Sequence, residues 1–166
     1  AKLRMLNGAH SALAYLGLEN GLTFVHEAMQ RRAIRQLVER LMREEAATSF
    51  TPAPGQDLGA YADALVARFA DPALNHRLVQ IVMDGSQKIP QRWLETLAFH
   101  QAHGRRCSAI LEALAAWLRH VRGEVRPVDD PMAGALWALW QSEGRTGIAS
   151  ALFGPEGRFA RYWQAD

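Results

Sequence analysis

The chain has 166 residues, 49% hydrophobic and 22% charged, and its 19 Lys+Arg against 17 Asp+Glu leave a net charge of +2. That length suits one domain with a real core, and so balanced a charge makes no electrostatic case for nucleic acid or an anionic membrane. The single cysteine, Cys107, rules out an intrachain disulfide and no apolar run approaches the roughly 20 residues that span a bilayer, so the expected location is cytoplasmic.

The apolar spacing predicts a helix over residues 3–16, ending near Gly17 with Asn20 and Gly21 in the turn. At about 100° per residue Leu6, Ala9, Leu13 and Leu16 share one face. Asn7 and His10 stand at its edge as i,i+3 neighbours, and Lys2 falls on or beside the apolar stripe. From Leu22 onward Val25, Met29, Ile34, Leu37, Val38, Leu41 and Met42 predict one long amphipathic helix. Its charged face, from Arg31 to Arg43, carries glutamates that balance its arginines. Thr51-Pro52-Ala53-Pro54-Gly55 breaks the pattern, and Asp57 caps a helix over 58–69 with Tyr61, Leu65 and Phe69 inward.

Pro72 is placed to open a short helix after Asp71, and 78–83 reads as helix although its β-branched residues imitate a strand. Pro90 is expected at the first position of a helix running to about His103, which Gly104 stops. Residues 106–122 follow as helix, and Asp130-Pro131 starts another in which Met132, Leu136, Leu139 and Trp140 pack. Gly144 and Gly147 flank a turn, with short helices over 148–153 and 158–163 beyond it. The five tryptophans, Trp137 among them, suit core or domain-interface packing. The sum is a single all-α domain, 1–166, of seven to nine helices. It has no strand–glycine–helix unit and no G-x-G-x-x-G with which to cradle a dinucleotide.

Three groups near the start carry chemistry. A lysine at the edge of an apolar stripe either snorkels past its leucines or is a desolvated amine able to move protons near neutral pH. The Asn7 amide both donates and accepts, and His10 adds an imidazole. A zinc site built on Asn7 and His10 is disfavoured, because no carboxylate or second histidine is spaced beside them.

The pattern Lys-x4-Asn-x2-His, within K-L-R-x-L-N-G-x-H-S-x-L-A-Y-L-G, resembles the opening of the C-terminal domain in the mannitol dehydrogenase family, the polyol-specific long-chain dehydrogenases. Residues 84–92, D-G-S-Q-K-I-P-Q-R, resemble a second segment of that family, and Arg68-Phe69-x-x-Pro72 a structural element of it. The resemblance implies a multi-helix C-terminal substrate domain of a two-domain dehydrogenase, whose N-terminal Rossmann-type domain, absent from this chain, binds NAD or NADP. It makes Lys2 the general acid/base and Asn7 one donor of an oxyanion hole. His10 then binds a substrate hydroxyl or holds Lys2, Lys88 contacts substrate, and no metal takes part. The implied reaction interconverts a polyol and its ketose, mannitol and fructose being the type, with the isolated domain inactive.

One departure matters: eight residues before Lys88, where some family members that take neutral polyols carry arginine, this chain has Gln80. A hexuronate such as fructuronate or tagaturonate becomes the alternative substrate, with Lys88, Arg92, Arg77 or His76 available for its carboxylate. A helical interaction module without chemistry is the reading that composition alone favours.

Overall fold

The computed structural model describes residues 1–166, and every regular element in it is helical. A π turn, Lys2–Asn7, runs into α1, Gly8–Glu19; then come α2, Val25–Gln30, α3, Arg32–Arg40, and a second π turn, Leu41–Ala46. After α4, Leu58–Ala70, two short helices follow, α5, Leu78–Ile81, and α6, Gly85–Ile89. A third π turn, Pro90–Leu94, leads into α7, Glu95–Ala102, with α8, Ser108–Val121, and α9, Ala133–Phe153, completing the chain. The only strand-like pairing is one antiparallel bridge between Phe24 and Arg77. No helix is long and apolar enough to cross a membrane.

α1 is the central rod. Ala9, Ala12, Leu13, Ala14, Tyr15 and Leu18 are all buried, so the helix is covered nearly all round rather than on one stripe, with α2, α5 and α8 against it. Its small residues permit close approach: a Cβ on Gly17 would lie 2.6 Å from Leu78 Cδ1. Trp93 and Trp117 are wholly enclosed, and Cys107, 2% exposed, belongs to the same core.

Several elements depart from the sequence reading. The long helix from Leu22 is broken at Arg31, which is extended (φ −80°, ψ 111°). Met29 and Ile34, five residues apart, would point about 140° away from each other on a straight α-helix, and the break restores both to the core. No helix follows Pro72. The Asp71 carboxylate accepts from the Ala73 N–H at 2.9 Å, and the chain then straightens so that Val25 N–H donates to His76 O and Leu78 N–H to Thr23 O, each at 3.0 Å. Pro90 does not start a helix but sits inside a continuous run from Gly85, where the wider π register accommodates its missing N–H.

The break expected at Gly144 is present: its backbone is non-helical (φ 63°, ψ −167°), so α9 is two helices meeting at a kink there, but Gly147 lies within the second helix and flanks no turn. Residues 158–163 form successive turns folded back on α9, with Phe159 N–H on Leu152 O at 2.9 Å. Trp137 is 57% exposed while the other four tryptophans are buried.

Candidate functional site

The register of the first turn decides which way Lys2 faces. Gly8 N–H donates to Leu3 O, five residues back. In an α-helix Lys2 and Asn7 would diverge by about 140°; a turn closed over five residues brings them to the same side. From Gly8 the helix is α, so His10 follows Asn7 as an i+3 neighbour. Uniform 100° spacing places Lys2 on the apolar stripe, whereas here Met5, Ala9 and Leu13 take the core and Lys2 is exposed. The desolvation foreseen for this lysine is therefore not supplied by side chains of this chain. Asn7 stands at the N-cap of α1 without spending its amide on a capping bond.

The turn is pinned from two sides. Arg4 Nη1 donates to Ser49 O at 2.6 Å and Ser49 Oγ at 3.0 Å, and its other nitrogen reaches Glu95 at 3.4 Å. Trp93 Nε1 donates to Gly8 O at 3.0 Å. The first π turn packs on both of the others, so all three wide turns meet beneath the residues of interest.

His10 is half-buried. Its ring stacks on Phe69 (centroids 5.5 Å apart, 11° between planes) and meets His76 edge-on at 5.7 Å. The bridge between Phe24 and Arg77 is what sets His76 there. Burial first, then the charges of His76, Arg92, Arg68 and Lys88, push the His10 imidazole down to about 4. At neutral pH the ring is therefore uncharged, one nitrogen donating and the other accepting.

Lys88 Nζ donates to Ile81 O at 3.3 Å; burial and then Arg92 hold its amine below the ordinary lysine value, against the pull of Asp84 and Asp130. The α6 helix that carries it is clamped at its start. Asp84 adopts the left-handed conformation (φ 56°), which aspartate tolerates, and its N–H donates to Asp129 O at 2.9 Å. The Asp130 carboxylate accepts from Ser86 N–H at 2.7 Å and from Ser86 Oγ at 2.5 Å. Between them Gly85 has no room for a side chain, since a Cβ would lie 2.4 Å from Tyr15 Oη. The sequence reading took Asp130 for the start of a helix and missed this role; a carboxylate 44 residues from the serine it holds leaves no local signal.

His10 thus meets His76 directly and feels the charges of Lys88 and Arg92, while Lys2 and Asn7 belong to the π turn that precedes its helix. Arg77 is exposed at the start of α5. A cleft of about 940 Å³ lies elsewhere, between α1, α8 and α9, lined by Tyr15, Arg119, His120 and Trp140, and includes none of Lys2, Asn7, His10 or Lys88.

This all-α domain is similar to parts of known oxidoreductases. Residues 1–153 fit the model of the mannitol dehydrogenase C-terminal domain. The D-mannonate oxidoreductase of Escherichia coli is 38% identical over 164 residues, 96% of this chain and 34% of that protein. The mannitol 2-dehydrogenase of Phaeosphaeria nodorum is 34% identical, covering 82% of this chain and 25% of its own. Among solved structures, the Pseudomonas fluorescens mannitol 2-dehydrogenase ternary complex with NAD and D-mannitol superposes with a TM-score of 0.81 at 31% identity, over 90% of this chain and 31% of that one. The chain belongs to the mannitol dehydrogenase family, as its C-terminal domain. It spans a quarter to a third of the length of these relatives.

Proposed function

We propose that this chain is the substrate-holding domain of a nicotinamide-dependent dehydrogenase that interconverts a secondary alcohol and its ketone, with a polyol and its ketose as the substrate pair. What supports the reading is that Lys2, Asn7 and His10 follow one another over the first π turn and the start of the central helix, with the charge of Lys88 acting on His10. Lys2 takes the hydroxyl proton in oxidation and returns it in reduction. Asn7, its amide free of capping, donates to the oxygen on which charge develops. The neutral His10 ring hydrogen-bonds a further substrate hydroxyl, and Lys88 holds the substrate at its other end.

The dinucleotide has no cradle among these residues: the chain lacks a sheet, and no glycine-rich turn joins a strand to a helix. The cofactor supplies the hydride acceptor or donor from a separate N-terminal domain, NAD being the form bound by the Pseudomonas fluorescens relative. A sugar acid is the second reading. It is favoured by the cations around His10, and by a relative that is a D-mannonate oxidoreductase.

The test is Lys2→Ala in the full-length protein containing this domain, assayed with mannitol, fructose, mannonate and fructuronate. Turnover is expected to fall at least about 100-fold with unchanged circular dichroism. Wild-type turnover refutes Lys2 as the proton-transfer group.

A further inference from the structure

Of the side chains in the first π turn, Lys2–Asn7, only Arg4 makes hydrogen bonds, and it makes three: Nη1 to Ser49 O at 2.6 Å and to Ser49 Oγ at 3.0 Å, and Nη2 to Glu95 Oε2 at 3.4 Å. These partners share a setting. Ser49, 2% exposed, lies just beyond the second π turn, Leu41–Ala46, where its hydroxyl donates to Ala46 O at 2.7 Å. Glu95 opens α7 directly after the third π turn, Pro90–Leu94. One guanidinium thus joins the first wide turn to the ends of the other two.

That tie bears on the register of the turn. Gly8 N–H bonds to Leu3 O and Met5 O and passes over Arg4 O, the acceptor that an α-helix would use. The local sequence gives no reason for this. Lys2, Leu3, Arg4, Met5 and Leu6 are all good α-helix formers, and the turn contains neither proline nor glycine. A wide turn in such a sequence has to be held from outside, and wide turns of this kind are frequent at functional sites. Trp93 Nε1 on Gly8 O holds its far end, and the planar fork of Arg4, fixed on a buried serine, holds its middle.

We infer that Arg4 is a positioning residue for proton transfer: by keeping the first turn in its five-residue register, it sets the Lys2 amine on the same side as the Asn7 amide. In an α register the two diverge by about 140°, and the base and the donor to the developing alkoxide no longer meet at one oxygen. The donors of Arg4 face Ser49 and Glu95, so it acts on the reaction only through the turn. A misplacement of about 1 Å at the reacting atoms costs on the order of 100-fold in rate.

The inference rests on the dehydrogenase reading above, and its test keeps the two apart. In the full-length enzyme, with the best of mannitol, fructose, mannonate and fructuronate as substrate, kcat and KM are measured for wild type, Arg4→Met, Arg4→Lys and Lys2→Ala, each checked by circular dichroism, and Arg4→Met is crystallised. Arg4→Met is expected to lower kcat roughly 100-fold with KM within about 3-fold of wild type, because alignment in the transition state is lost and binding is not. Arg4→Lys, whose ammonium keeps a bond to Ser49 O without the fork, recovers roughly 10-fold of that loss. The Arg4→Met crystal is expected to show Gly8 N–H on the carbonyl of residue 4, with Lys2 turned away from Asn7. Wild-type kcat in Arg4→Met beside an inactive Lys2→Ala overturns the inference alone, as does a crystal in which the first turn keeps its register, or a loss carried wholly by KM. Full turnover in Lys2→Ala overturns the dehydrogenase reading's base and the inference with it.

Discussion

His10 shows how far packing moves a single residue from its solution behaviour. Stacked on Phe69 and ringed by cations, it resists protonation, so its imidazole titrates near pH 4 where a free histidine titrates near 6.5. Between those values the unfolded chain binds a proton there that the folded chain refuses. Stability due to His10 is therefore complete above about pH 6.5 and is lost as the pH falls toward 4. Urea unfolding of wild type and His10→Gln at pH 7 and pH 4 is expected to show the wild-type advantage shrinking by up to roughly 3 kcal/mol. An NMR titration of the ring gives the midpoint directly.

At the level of elements, the short helix α6 owes its position to a residue far away in the chain. Asp130→Asn replaces one accepting oxygen with an NH2 that cannot accept, so the N–H of either Ser86 or Met132 loses its partner. An expected loss of about 1–3 kcal/mol in urea unfolding follows, with a higher substrate KM because Lys88 rides on the same helix. The helices themselves were legible in the sequence: Asp57 caps α4 as its spacing predicts, its carboxylate accepting from Ala60 N–H at 3.0 Å, and Gly104 ends α7. What stayed hidden were the three π turns. A periodicity count assumes one angular step throughout, and only tertiary contacts such as Arg4 on Ser49 and Trp93 on Gly8 favour the wider register. The motif residues were visible as types and spacing; the contact of His76 with His10 and the charges of Arg92 and Lys88 acting on it were not, because they depend on the pairing of Phe24 with Arg77 and on the Asp130 clamp.

Across the whole molecule, one buried polar joint ties the second π turn to the far side of the core. Glu45, 7% exposed, accepts from Ala109 N–H and Ile110 N–H at 2.8 Å each, holding the start of α8, and His100 bonds the Glu45 carbonyl at 2.7 Å. Cys107 lies at the same joint, its thiol pushed up to about 12 by burial and then by the nearby Glu45 charge. Thiol reagents attack the thiolate, so this sulfur is inert while the joint is closed. It is the only cysteine in the chain, which turns it into a built-in gauge of opening. Pulses of iodoacetamide read by mass spectrometry are expected to leave the native chain unmodified and to alkylate it in step with urea unfolding, so that the modified fraction reports how often the centre of the molecule comes apart.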